Sequence, residues 1–229
     1  MADAWVKHAG TWKQAATWVK HAGTWKQPAT WVKRAGTWVP LSAPAAAGGT
    51  TWAPAFKHAA LTLTNGDKTV TQTSAIGWVS MRTAHPSGPL GSKVYWEIKV
   101  ETLAADAMYE AFVSVADGGM LNTYYSGQAG LSGGMAPDGG LSGLSGATGF
   151  GYVAGDVLQF ASDNTAGSAT LKIAKNGGAY TTFTGDGIVG VTNVYPAVMT
   201  SIVGDSFTIR TTAPEWSFSP PSGYVAIPT

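Results

Sequence analysis

The chain has 229 residues, of which 45% are hydrophobic and 12% charged, with 30 glycines, 12 prolines and no cysteine. Globular chains usually carry about 25% charged residues, so little is left for long-range steering of nucleic acid. The missing cysteines exclude a disulfide framework, a thiolate metal site and a cysteine nucleophile.

The first element is an internal repeat of 13 residues. Trp5-Val6-Lys7-His8-Ala9-Gly10-Thr11-Trp12-Lys13-Gln14 recurs as Trp18 to Gln27 and, with changes, as Trp31 to Pro40. Six of the ten tryptophans, Trp5, Trp12, Trp18, Trp25, Trp31 and Trp38, fall in these copies. Each copy reads as a β-hairpin, because Thr, Trp and Val favour strands. The expected loop is the three-residue His8-Ala9-Gly10, which pairs Val6 with Trp12 and Trp5 with Lys13. A two-residue loop would instead bring both indoles to one face. Isolated hairpins are marginal in water, so residues 1–41 are expected to pack on copies of themselves, on another protein or on the rest of the chain.

Charge follows the same division. Lys7, Lys13, Lys20, Lys26, Lys33 and Arg34 stand against Asp3 alone in residues 1–40, a net of +5, while the remainder carries eight basic and twelve acidic residues, a net of −4. A basic arm can serve nucleic acid. Here the basic residues sit six or seven apart and follow the repeat, so no nucleic-acid partner is expected. Met1 to Trp12 lacks the apolar run of about 7–15 residues that marks a secretory signal. No stretch approaches the roughly 18 apolar residues that span a bilayer. Synthesis in a cytoplasm without membrane insertion is the expectation.

Residues 42–54 are rich in Pro, Ala and Gly and read as a linker, with a β-domain over 55–229. Leu61–Thr64 and Lys68–Thr71 flank Asn65-Gly66 and read as a hairpin. Strands are expected over 94–100, which alternates as a half-buried strand should, and over 111–115, 157–161, 170–174, 194–199 and 206–210. No helix is expected. This pattern is that of an all-β antiparallel sandwich. Between Gly118 and Gly155 the chain is extremely glycine-rich, and so long a loop is often functional. Tyr124 and Tyr125 within it are candidate receptor-binding residues, since aromatic faces suit such contacts. Leu131, Met135, Leu141 and Leu144 are expected to close the loop onto the sandwich.

Four pieces of the β-domain carry a family resemblance. They are Tyr95-Trp96-Glu97-Ile98, Gly149 to Leu158 with its Gly155-Asp156 step, Lys172 to Gly177, and Tyr195-Pro196-Ala197-Val198. In this order the segment from about Ala55 to Pro228 resembles the SPRY/B30.2 family. That resemblance implies a concanavalin-like sandwich of two antiparallel sheets that binds through loops at one edge. The Trp-Val-Lys-x-Ala-Gly-Thr-Trp repeats resemble units of bacteriophage tail and fibre proteins. The ending Phe218-Ser219-Pro220-Pro221-Ser222-Gly223-Tyr224 is similar to those of phage-borne SPRY modules. Together they imply a structural protein of a tail or fibre, made in the host cytoplasm and located in the virion. The hairpins would dock on other virion proteins, the sandwich would attach to a host-surface glycan or protein, and by analogy with fibres the chain would form a homo-oligomer such as a trimer.

No catalytic constellation is expected, and no cofactor or metal. His8 and His21 share a repeat position with Arg34, which no metal ligand would do. His58 and His85 lack a second ligand at suitable spacing. Asp106, Glu110 and Asp117 are the carboxylates that a polysaccharide hydrolase would need, but they read as a solvated strand edge and turn. Asp138 and Asp163 lie in turn-forming sequence, and Asp156 precedes a core strand. The remaining alternative is a capsid or collar decoration without a receptor.

Overall fold

The computed structural model describes residues 49–84, 93–103, 111–115, 132–163, 170–184 and 194–227, together with the backbone of six strands between Trp5 and Ser42. The chain divides into two units, residues 1–47 and 48–229.

The first unit holds three hairpins: β1 (Trp5–His8) with β2 (Thr11–Gln14), β3 (Val19–His21) with β4 (Thr24–Lys26), and β5 (Thr30–Arg34) with β6 (Thr37–Ser42). Their register corrects the expected loop. His8 pairs with Thr11, Lys7 with Trp12 and Val6 with Lys13. Lys20 likewise pairs with Trp25, and Lys33 with Trp38. Only two residues therefore separate the strands, and His8 belongs to β1 rather than to the turn. A one-residue shift of register moves every position to the opposite face. Trp5, Lys7 and Trp12 accordingly share one face of the first hairpin, and Trp31, Lys33 and Trp38 share one face of the third. Trp18 lies outside the described residues.

The second unit is an antiparallel β-sandwich. One sheet runs in the order β14 (Leu141–Ser142), β13 (Ser132–Met135), β12 (Ala111–Val115), β18 (Val194–Thr200), β10 (Val79–Thr83) and β7 (Trp52–Lys57). The other runs β17 (Thr181–Phe183), β16 (Thr170–Lys175), β15 (Val157–Asp163), β11 (Lys93–Thr102), β19 (Ser206–Arg210), β9 (Thr69–Gln72) and β8 (Leu61–Thr64). A short β20 (Val225–Ala226) adds to β11 in parallel. The helical content of the described residues is one 3₁₀ turn, Ala213–Glu215.

Alternation builds the core. Val94, Trp96, Ile98 and Val100 of β11 point between the sheets, beside Leu158 and Phe160 of β15 and Phe207 and Ile209 of β19. The Trp96 and Phe160 rings stack, with centroids 5.3 Å apart. The opposite sheet contributes Trp52, Val79, Met81, Met135 and Val198. Full burial of each large side chain stabilises the fold by about 1.5–3 kcal/mol, so the zipper between β11, β15 and β19 dominates the unit.

Three expectations are corrected here. The sandwich unit starts at Gly48, inside the stretch read as a linker: Trp52 is fully buried, and Thr211 Oγ1 donates to the Thr50 carbonyl at 2.8 Å. The glycine-rich segment is not one long loop, because its second half supplies β13 and β14. Met135 and Leu144 reach the core and Leu141 packs against it, as expected. The Leu144 side chain packs directly on Gly133, where a Cβ would lie 2.6 Å from its tip and force it to shift. Finally, β11 is buried on both faces from Val94 to Ile98 rather than on one, because the C-terminal segment covers the outer face of its sheet.

Candidate binding site

Loops at one end of the sandwich gather its exposed apolar side chains. Residues 73–78 join β9 to β10, and residues 201–205 join β18 to β19. Both connections pass from one sheet to the other at the same end, since Thr71 pairs with Ser206 and Val79 with Thr200. Residues 150–156 enter β15 at this end as well, where Gly155 N–H donates to Val100 O and Val100 N–H to Asp156 O. Four large hydrophobic side chains are exposed among the described residues, and three of them are here: Ile76, Val153 and Val203, at 53, 65 and 44% exposure. Half-buried Trp78 and Ile202 lie beside them in the chain. An apolar group of this kind needs an explanation that a single scattered residue does not.

Gln72 pins the two crossover loops together. It is buried, its backbone N–H donates to Asp205 O at 3.0 Å, and its carbonyl accepts from Gly204 N–H at 2.9 Å. Its side-chain Nε2 donates to Ser74 O at 3.0 Å and reaches Gly77 O at 3.5 Å. Beneath the second loop, Thr200 Oγ1 donates to Asp205 Oδ2 at 2.6 Å, and both residues are buried. Asp205 is the one ionisable residue in either loop. The loops therefore present apolar side chains on fixed backbone without exposed charge. Pre-ordering of this sort lowers the entropy lost on binding.

The outer face of the β11 sheet carries a buried polar network. Glu97 is fully buried and accepts from Tyr95 Oη at 2.8 Å, Arg210 Nη1 at 3.3 Å, and the backbone N–H groups of Ser217 and Phe218 at 2.8 and 2.9 Å. Trp216 meets the Tyr95 ring edge-on at 4.8 Å. Burial, with the Glu97 carboxylate next, pushes the Tyr95 phenol well above its ordinary range, and burial raises Tyr180 likewise. Gln159 Nε2 donates to Tyr180 Oη at 3.1 Å. Perturbed groups mark active sites when they line a cleft; these lie under the C-terminal segment and satisfy one another.

The residues singled out from the sequence fall as follows. Tyr124, Tyr125, Leu131, Asp106, Glu110, Asp117 and His85 lie outside the described residues. His58 Nδ1 accepts from Ala60 N–H at 3.0 Å in a turn, and Asp138 accepts from Gly140 N–H at 2.8 Å in another. Asp163 is not in a turn: it ends β15 and pairs with Lys93 at 3.0 Å. Asp156 directly precedes β15, as expected. Among the described residues, no group of three or more His, Asp or Glu could hold a metal ion, and no helix is long and apolar enough to cross a membrane. Sequence reading missed Ile76, Val153 and Val203. Each is a β-branched residue one or two positions before a glycine of positive φ, Gly77, Gly155 or Gly204, and that pairing is the signal that would have found them.

No family model and no curated protein matches the chain. Among solved structures it is similar to the SPRY domain of human HERC1, with 19% identity and a TM-score of 0.56 over 69% of this chain and 96% of that one. It is also similar to the TRIM65 PSpry domain, with 14% identity and a TM-score of 0.53 over 71% of this chain and 89% of that one. At these identities the likeness establishes the fold, a SPRY-like antiparallel sandwich.

Proposed function

We propose that this SPRY-like chain is a non-enzymatic structural protein of a phage tail or fibre. Its tryptophan hairpins fasten it to other virion proteins, and its sandwich attaches to a protein or glycan on the host surface. The virion assignment rests on the resemblance of the 13-residue repeats and of the Phe218–Tyr224 ending to phage proteins. The binding assignment rests on one observation: Ile76 and Val203 stand exposed on adjoining loops that Gln72 holds rigid, with Val153 at the same end. Apolar anchors on the two crossover loops, which carry no exposed charged side chain, suit a neutral and partly apolar partner.

The test is a particle carrying Ile76→Asp together with Val203→Asp. Adsorption to the host should fall at least about tenfold, the equivalent of one good anchor, while incorporation of the protein into particles stays normal. Unchanged adsorption would reject the binding role and leave a decoration protein. Loss of incorporation on replacing Trp5, Trp12, Trp18, Trp25, Trp31 and Trp38 by serine would support the fastening role separately. By analogy with fibres, the chain is expected to act as a homo-oligomer, such as a trimer, docked on other virion proteins.

A further inference from the structure

We propose that Asn65 is a site of spontaneous deamidation and that Asn176, in a second exposed Asn-Gly turn, is locked against the same reaction by three hydrogen bonds. The two turns form an internal comparison. Asn65-Gly66 links β8 to β9, and Asn176-Gly177 follows β16; the asparagine φ angles are 54° and 52°. All four residues are exposed. Exposure and the asparagine φ therefore do not distinguish them, although Asn65 opens its turn, with Lys68 N–H on its carbonyl, and Asn176 is the second residue of its own, with Gly178 N–H on the Lys175 carbonyl.

The reaction makes three demands. The Gly nitrogen attacks the Asn side-chain carbonyl carbon Cγ and closes a five-membered imide. The nitrogen's proton and the side-chain amide depart together as ammonia. Water then opens the ring at either carbonyl, giving aspartate or isoaspartate, and water is the one co-reactant consumed. The Asn amide must be free to turn, the Gly N–H must be unengaged, and water must reach the bond.

Asn65 and Gly66 meet all three. The turn's one hydrogen bond at these residues runs from Lys68 N–H to the Asn65 backbone carbonyl at 3.3 Å. The Asn65 side chain and the Gly66 N–H make none among the described residues, and the space beside Gly66 Cα is open. Asn176 and Gly177 fail the first two demands. Asn176 Nδ2 donates to Asp156 Oδ1 at 2.6 Å, and Asn176 Oδ1 accepts from Val157 N–H at 2.8 Å. The attacking atom is held as well, because Gly177 N–H donates to Gln159 Oε1 at 2.6 Å. Gln159 is itself buried, and the Phe218 ring lies where a Cβ on Gly177 would come within 2.8 Å of it. Three bonds must open together before Cγ can meet the nitrogen. At about fivefold in population for each bond, Asn176 reacts roughly a hundredfold more slowly than Asn65.

The measurement is peptide-resolved mass spectrometry of the full chain, aged in mildly alkaline buffer, with isoaspartate separated from aspartate chromatographically. Asn65 should convert first, and Asn176 should remain intact while Asn65 is largely consumed. The same chain in denaturant should lose the difference, with the two sites converting within a few-fold of each other. Asp156→Ala should accelerate Asn176 about tenfold or more, with a cooperative thermal unfolding transition of the variant above the incubation temperature reporting that the fold is intact. Equal rates at the two sites in the folded protein would overturn the proposal. So would an Asn65 that outlasts Asn176, an Asn65 that is stable when folded but labile when unfolded, or an Asp156→Ala variant whose Asn176 is no faster.

Discussion

Glu97 shows how one carboxylate can organise a face of the molecule. Its oxygens gather a tyrosine hydroxyl, an arginine and two backbone amides from the segment at 217–218, none of which could be buried unpaired without penalty. Removing it leaves Arg210 and two N–H groups without their acceptor. Glu97→Ala should lower stability by about 3 kcal/mol, read as a fall in the urea midpoint with an unchanged slope. Glu215 gives a contrasting, pH-dependent case. Burial works against its charge, but the Thr211 N–H at 2.9 Å and the Lys68 ammonium at 3.1 Å outweigh it, and its carboxyl sits below the ordinary range. A carboxyl depressed in the folded state stabilises the fold above its unfolded pKa, and the effect disappears as pH falls through the folded value. Glu215→Gln should therefore be less stable than the parent near neutrality, by about 1 kcal/mol after allowance for its partial exposure. The two melting curves should converge as pH drops through and below the carboxylate range.

At the level of elements, the hairpin tip at Asn176-Gly177 serves as a floor for the C-terminal segment. Gly177 has φ 76°, and the Phe218 ring occupies the place of a side chain. Gly177→Ala should destabilise by more than the roughly 1–2 kcal/mol of left-handed strain alone. Gly66→Ala, at φ 62° with open space around it, should show the strain term only. Equal losses in thermal denaturation would mean that Phe218 does not support the tip. The strands legible in the sequence were β8, β9, β11, β12, β15, β16, β18 and β19, each an apolar or alternating run bounded by turn residues. β7 was hidden by Pro54 and its alanines, which a sheet tolerates at an edge. β10 was hidden because all five of its residues are buried: Arg82 packs between the Phe56 and Tyr195 rings at 3.7 and 4.0 Å, so its charge does not mark a solvent face. The hairpin registers were misread by one residue because His-Ala-Gly and Ala-Gly both make acceptable loops, and local composition does not choose between them. The binding end was illegible for a different reason. Its residues come from segments far apart in sequence, and only the meeting of two sheet crossovers sets the loops of Ile76 and Val203 side by side.

The whole chain joins two units of unlike build. Residues 48–229 enclose a shared core between two sheets, whereas the first unit consists of separate two-stranded hairpins, each too small to be stable by burial. Hydrogen exchange on dilute, unassembled protein should find β11, β15 and β19 strongly protected and residues 5–42 exchanging fast; strong protection of the hairpins in a monomer would contradict the fastener reading. The long reach from Glu97 to Ser217 and Phe218 also bears on how the sandwich is made. Lys93–Thr102 emerges from the ribosome more than a hundred residues before its partners Ser206–Arg210 and the amides that receive its carboxylate. Until then the nascent sheet keeps an open flank and an unmatched acid, so closure waits for residues 206–218, and a chain terminated before them would meet the cell's quality control with its central strand half covered.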